Sequence, residues 1–273
     1  MLDKDTAAVA AAYDKYQHSL EQIDKLEKYL NYGYSNGGRR SLVERQTELC
    51  RRVFDLAAIE ADHVVVDVGF GSGEQDFLLA REVPFARLHG FNIAERQVDY
   101  ARRRAEVEGL ARRLRFHHAP AERMTVLPDD GADRLLAIEC AFHFDRPQFY
   151  AEAARVLRPG GRVVLADFAL GDPLGFLTRF SEECRRAGTV SGNRSDWERH
   201  FITRSRRRIN RHVLPGAQQA VFGCLSSLVR GLELPNVMTW LNMGLYTQVI
   251  VFGLVTGLLS YELIVLEKPA AAA

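Results

Sequence analysis

The spacing of apolar residues changes character several times along the chain, and each change marks an element. Val9, Tyr13, Tyr16, Leu20, Ile23 and Leu30 recur at threes and fours, which predicts a long amphipathic helix over residues 7–31. The stretch Asn31-Tyr32-Gly33-Tyr34-Ser35-Asn36-Gly37-Gly38 is aromatic and glycine-rich and cannot extend that helix. Ser41 to Ala58 reads as a second helix. At Val64-Val65-Val66-Asp67-Val68 the helical period is lost, and a β-branched run of this kind is a strand buried on both faces. It stops at Gly69, Gly71 and Gly73, and a helix is expected from Glu74.

Beyond that turn the two periods alternate. Leu88–Phe91, Leu114–His117, Arg134–Ile138 and Arg162–Ala166 read as strands. Ala94–Glu108 and Pro147–Leu157 read as helices, with Arg158-Pro159-Gly160-Gly161 as a turn. Strands alternating with helices at this spacing predict an α/β fold, a doubly wound and mostly parallel sheet. In such sheets ligands bind beyond the carboxyl ends of the strands.

The second half is less regular. Residues 168–193 are marked by Gly and Pro and read as an insertion beside the site. Ser195-Asp196-Trp197-Glu198 has the form of a capping box opening a short helix. The cluster Arg204 to Arg211 reads as a solvated edge strand, with phosphate binding as the sharper alternative. Leu234 to Tyr261 carries no charged residue, and Gly253 and Gly257 have GxxxG spacing, so by length alone it is a membrane-span candidate. The segment Tyr261 to Glu267, however, reads as the last strand of the same sheet. A membrane crossing would leave it on the wrong side. The expectation is therefore a buried helix lining an apolar pocket, with membrane-surface contact through 234–260 as the second reading. Residues 1–40 form an N-terminal helix and loop unit, and 41–273 the main domain, with substrate-side insertions at about 168–193 and 213–260.

Composition narrows the function classes. The chain has 273 residues, 47% of them hydrophobic, enough for one large domain with appendages. Its net charge of +1 gives no surface field for nucleic acid. The cysteines, at 50, 140, 184 and 224, are all at least forty residues apart, which excludes a local zinc or redox CxxC and offers no disulfide framework; no metal site is expected. The polar, alanine-rich start is unlike a secretory signal, so a cytoplasmic location is expected.

The chemistry gathers at the glycine turn. Gly69, Gly71 and Gly73 let the backbone approach a ligand closely, and the N–H groups of the following helix can face it. With Val66-Asp67-Val68-Gly69-Phe70-Gly71-Ser72-Gly73 and Glu152-Ala153-Ala154-Arg155-Val156-Leu157-Arg158-Pro159-Gly160-Gly161, the chain resembles the class I S-adenosylmethionine-dependent methyltransferases over residues 40–170, and more loosely in the tail. The first motif reads GxGxG, not the GxGxxG of dinucleotide dehydrogenases. Gly90-Phe91-Asn92-Ile93-Ala94-Glu95-Arg96-Gln97 is similar to the small-molecule branch that contains sugar and natural-product O-methyltransferases.

The resemblance implies a seven-stranded Rossmann-like sheet with an N-terminal helical lid, and S-adenosyl-L-methionine as cofactor. It implies cofactor contacts at Asp67, Gly69, Phe70, Gly71 and Gly73, with Asn92 and Gln97 at the ribose and Ile93 against adenine. Ala121 and Glu122 match the segment edging adenine, although Pro120 stands where that branch has an aspartate, and Phe70 where it often has a cysteine. Glu139 is a further cofactor-side residue, or a stabiliser of a developing cation.

Methyl transfer from a sulfonium is an in-line displacement, and a hydroxyl acceptor is helped by a base. His143, five residues past the fourth strand, and Asp167, at the end of the fifth, are expected at one rim, where the carboxylate would support the imidazolium. His143 between two phenylalanines is alternatively a packed pocket wall. Tyr32, Tyr34 and Phe142 are expected to cover the cofactor or acceptor, and the N-terminal helix is expected to lie on its own domain, with a swinging lid or a subunit contact as the sharper alternatives. Three readings stand: O-methylation of an apolar natural-product-like small molecule in secondary metabolism, C-methylation of an isoprenoid or other electron-rich carbon, and a non-catalytic scaffold on the same fold.

Overall fold

A computed structural model describes residues 7, 9–11, 29–230 and 234–270, with backbone alone at 183, 223–230 and 234–243. The stripe residues Tyr13, Tyr16, Leu20 and Ile23 lie outside the described residues, and with them the subunit-contact reading of that helix.

Helix α1 (Leu42–Ala57) opens with a complete capping box: Ser41 accepts from the Glu44 amide while Glu44 accepts from the Ser41 amide. Then β1 (Val64–Val68), α2 (Glu74–Glu82), β2 (Arg87–Asn92), α3 (Glu95–Val107), β3 (Leu114–His118), β4 (Ala132–Ile138), α4 (Arg146–Val156) and β5 (Leu157–Leu170) follow in alternation. The sheet has seven strands in the order β3-β2-β1-β4-β5-β7-β6, with β6 at Ile202–Arg208 and β7 at Leu259–Glu267. β1 to β5 are parallel, whereas β7 runs antiparallel between β5 and β6. Strand order reverses between β1 and β4, so the rim beyond Val68 and Ile138 is where ligands bind in such sheets. The β1 valines divide between two cores, Val65 on the α1 side and Val66 and Val68 on the α4 side, as a doubly covered strand requires.

Several expectations change. The Arg158–Gly161 turn is absorbed into β5: Gly160 takes φ +77°, and Gly160 and Gly161 exchange backbone hydrogen bonds with Lys268 beyond β7. Residues 168–170 likewise remain in β5, and the insertion then forms a 3-10 segment, Asp172–Arg179, with helices α5 (Glu182–Ala187) and α6 (Val190–Trp197). The Ser195–Glu198 box does not open a helix. It falls at the end of α6, whose true cap is Thr189, because buried Trp197 is anchored by its indole N–H to Thr203 of β6 at 2.9 Å.

Helices α7 (Asn210–Arg230) and α8 (Leu234–Thr256) precede β7. The described half of α8 is not buried all round. Thr247, Ile250 and Leu254 face inward, while Leu245, Tyr246, Val249, Phe252 and Val255 are each more than half exposed. Gly253 serves close packing on Leu259, whose Cδ1 lies 2.6 Å from where a Cβ would stand, and Gly257 ends the helix at φ +78°. No helix among the described residues is long and apolar enough to cross a membrane. The arginine cluster follows the edge-strand reading, with Arg204 and Arg206 each 2.7 Å from a carboxylate of β7, Glu267 and Glu262.

Candidate functional site

The turn after β1 is held by the Gly69 amide donating to Phe91 O (2.7 Å) and the Gly73 amide donating to Phe70 O (2.9 Å). Gly69, Gly71 and Gly73 adopt φ of +66°, +59° and +81°, a region other residues avoid. A Cβ on Gly69 would lie 2.5 Å from Cys140 Cβ, and one on Gly71 would lie 3.0 Å from Leu30 Cδ1. The Phe70 ring points away into the core against Phe116, so only its backbone belongs to the turn.

Asn92 and Gln97 are brought together at this turn. Asn92 Nδ2 donates to Gly71 O (3.2 Å) and to Gln97 Oε1 (2.8 Å), while its Oδ1 accepts from the Ala94 amide. Gln97 Nε2 is buried with no acceptor among the described residues, an unspent donor beside the glycines. Ile93 is half-buried at the strand end, and Ala121 is buried. Glu122 is committed to structure: its carboxylate accepts from the Asp145 amide (2.8 Å), tying the loop after β3 to the start of α4, and burial raises its pKa. Asp67 is fully buried behind the turn, accepting from Gln75 Nε2 at 3.1 Å. A glycine cradle, a free amide donor and a buried carboxylate fit a nucleoside bearing ribose hydroxyls and a cationic arm.

On the other side of the rim, Glu139 sits at φ +50° directly after β4. Its Oε1 accepts from the Tyr32 amide and from Tyr261 Oη, both at 2.8 Å, and burial pushes its pKa up to about 8. The Tyr32 ring meets Phe168 edge-on at 5.9 Å, and Phe168 meets Tyr261 at 4.6 Å. Phe142 joins the same group, 5.9 Å from Phe168. Tyr34 does not. Its ring is stacked on His212 at 4.4 Å beneath the Arg52 guanidinium, because the Tyr34 and Ser35 amides are bonded to Arg45 O and His212 O.

His143 ends a short 3-10 turn, Ala141–His143, its ring 4.1 Å from that of Phe142. Burial and the Arg186 cation push its pKa down to about 4. This reverses the expected influence of Asp167. That carboxylate is buried and committed to Arg146, whose Nη2 lies 3.0 Å from Asp167 Oδ2. Arg146 Nε donates to Arg186 O (3.1 Å), and Arg186 Nη1 donates to His143 O (2.8 Å). Asp167 therefore reaches His143 through two arginines and the backbone, not through the imidazole. Sequence reasoning missed Arg146, Arg186 and Tyr261, since nothing in a linear pattern says that a charged residue opening a helix will turn inward.

A cleft of about 840 Å³ lies between Glu122, Phe144, the start of α4 and Arg186, Thr189 and Asn193. Most of the residues that line it are charged or polar in type. The aromatic group of Tyr32, Phe142, Phe168 and Tyr261 is the better match for an apolar ligand.

Residues 66–165 match a family described as "Methyltransferase domain". Among curated proteins the chain is 33% identical over 171 residues to Methyltransferase GfsG of Streptomyces halstedii, covering 62% of this chain and 61% of that protein. It is 32% identical over 181 residues to 27-O-demethylrifamycin SV methyltransferase of Amycolatopsis mediterranei, covering 66% of this chain and 65% of that one. The chain thus spans just under two thirds of the length of these relatives. The solved structure of geranyl diphosphate C-methyltransferase from Streptomyces coelicolor A3(2) superposes with a TM-score of 0.71 at 14% identity, covering 97% of this chain and 98% of that one, a likeness of fold. Sheet order and glycine turn agree with the family match and the sequence relatives: residues 66–165 form a methyltransferase domain of the class I kind, with S-adenosylmethionine as cofactor.

Proposed function

We propose that this protein methylates a hydroxyl of an apolar, natural-product-like small molecule, with His143 removing the hydroxyl proton. The observation that carries the reading is the placement of His143, an imidazole at the rim with its ring 4.1 Å from that of Phe142, where burial and Arg186 favour the neutral form. A neutral imidazole can accept a proton. Asp167 acts as a positioning residue in this reading, holding Arg146 and through it the Arg186 contact to the His143 carbonyl. Gly69, Gly71, Gly73, Asn92 and Gln97 hold the cofactor, whose sulfonium supplies an activated methyl group. Tyr32 closes the acceptor side through Glu139. An O-methyltransferase among the sequence relatives supports this choice of acceptor atom.

C-methylation is the second reading, favoured by the four aromatic rings around Glu139, which would steady a carbocation. One experiment separates the two. A panel of apolar hydroxylated and isoprenoid acceptors is incubated with methyl-labelled S-adenosylmethionine, and the atom bearing the label is read by NMR. A label on oxygen that falls by about two to four orders of magnitude in His143→Ala supports the first reading. A label on carbon, or an unaltered rate in that variant, overturns it.

A further inference from the structure

The charge-free stretch of the chain ends on an outer surface that the methyl-transfer site does not use. Residues 234–261 hold no charged side chain, and over the wider span 201–261 six arginines stand against one acid, Glu233. The whole chain carries a net charge of only +1, so positive charge and apolar surface are concentrated together in this span. Along the described half of α8, Leu245, Val249 and Phe252 recur at spacings of four and three and form one outward stripe, with Tyr246 and Val255 beside it. Phe252 is 62% and Val255 63% exposed. On the inward side of the same helix, Thr247 Oγ1 lies 3.4 Å from Tyr32 Oη, a member of the aromatic group.

Cations edge the stripe at the C-terminal end of α8. Arg208 Nη2 donates to Gly257 O (3.3 Å) and Leu259 O (3.1 Å), which fixes a guanidinium against the end of the helix. Arg211 lies in the first turn of α7 beside Asn210, whose side-chain amide donates to Leu254 O of α8 at 3.0 Å. Arg207 stands opposite Leu263, on the sheet face that α7 and α8 cover. All three arginines are exposed. Among the described residues none of them is paired with a carboxylate, in contrast to Arg204 and Arg206.

Such a surface calls for two things in a partner: cover for the apolar side chains, and anions for the guanidinium groups. A second copy of the chain supplies the first, but from this span it brings the same arginines and a single acid. An anionic phospholipid surface supplies both, acyl chains for the stripe and phosphate oxygens in the geometry that arginine pairs with. We propose that the outer face of α8 docks this protein on an anionic phospholipid surface, with the apolar stripe in the interface and Arg207, Arg208 and Arg211 against lipid phosphates. The helix lies along the surface and does not cross it. An apolar acceptor dissolved in that bilayer is then separated from Tyr32 by the one helix; this consequence rests on the apolar-acceptor reading, and the docking itself does not.

Flotation of the full chain with lipid vesicles tests the docking with neither acceptor nor cofactor present, so its failure leaves the methylation reading untouched. The chain should float with vesicles of phosphatidylcholine mixed with phosphatidylglycerol, and bind about tenfold or more weakly to phosphatidylcholine alone. Added salt should weaken the binding. Val249→Ser combined with Phe252→Ser, both on the exposed stripe, should weaken it about 10- to 100-fold while leaving Tm unchanged. Arg207→Gln combined with Arg211→Gln should weaken it about 30-fold. No flotation with the anionic vesicles, equal binding to both compositions, or undiminished binding in the Val249→Ser, Phe252→Ser variant would each overturn the proposal. A dimer seen by light scattering without vesicles, and split to monomers by that same variant, would assign the face to a second copy and overturn it equally.

Discussion

Arg146 Nη2 and Asp167 Oδ2 form an ion pair at 3.0 Å in which both side chains are sealed from solvent. Burying two charges is costly, and the pair recovers that cost only while both partners are present. Arg146→Ala should therefore lower stability by about 3–5 kcal/mol, since it leaves the Asp167 carboxylate uncompensated. Arg146→Met combined with Asp167→Leu should lose less than the two single changes added together. Denaturant unfolding of the four proteins measures the coupling, and additive losses would show that the residues do not act as a unit.

A second relationship fixes the approach of the N-terminal segment. Tyr32 N–H and Tyr261 O–H both donate to Glu139, whose pKa is raised by burial from 4.5 to about 8. A carboxyl raised in the folded state contributes stability below pH 4.5 that is lost as pH rises through about 8. Glu139→Gln keeps an acceptor oxygen and removes the charge. It should raise Tm by several degrees at pH 9 and change it little at pH 5. An equal shift at both pH values would disconnect the effect from ionisation.

The pH profile of methyl transfer follows from His143. Because burial and Arg186 hold its pKa near 4, the imidazole stays neutral through the mildly acidic range. Activity dependent on His143 should therefore persist down to about pH 5 and fall as pH approaches 4. Arg186→Gln removes the repelling cation and should move that limb upward. A rate profile in the variant that superposes on the wild type would remove Arg186 from this role.

Gly71 tests the cofactor turn. With φ at +59° and Leu30 Cδ1 3.0 Å from a Cβ position, a larger residue there is strained and presses on the N-terminal segment. Gly71→Leu should abolish S-adenosylmethionine binding by calorimetry. Retained binding in a folded variant would remove this residue from the cofactor site.

Acid stability should depend on a histidine pair shared by β2 and β3. His89 Nδ1 and His117 Nε2 lie 3.0 Å apart on neighbouring strands, with Arg87 and Arg115 nearby. Burial lowers His89 from 6.5 to about 4 and lowers His117 as well. A histidine lowered in the folded state supports stability above pH 6.5, and that support drains away as pH falls toward 4. His89→Gln should lose less stability than the wild type between pH 7.5 and pH 5. An identical loss would place the acid sensitivity elsewhere.

How much of this was legible in the sequence depends on the range of the physics. The Val64–Val68 run, the glycines after it and the regular alternation to Ala166 are local patterns, and they determined the doubly wound sheet and the place of the cofactor turn. Asn92 and Gln97 were read from the family resemblance of residues 90–97, and their contact at 2.8 Å is nearly local, since five residues bridge a strand end and the first turn of the next helix. Those signals need no knowledge of what packs on them.

Contacts between distant segments were decided by the tertiary structure alone. Asp167 could be assigned to the rim from its strand, yet whether it meets His143 or Arg146 depends on which donor α4 brings into a closed space. Tyr32 and Tyr34 are two residues apart and chemically alike, and only the packing of α1 and α7 sends one ring to Phe168 and the other to His212. The α8 segment lacks charge throughout, but hydrophobicity does not specify how much of a helix its neighbours will cover. The capping-box pattern at Ser195 failed for the same reason: the burial of Trp197 outweighs a local preference that contributes only about 1 kcal/mol. Burial is a property of the assembled fold, and the ionisation of Glu139 and His143 follows from burial.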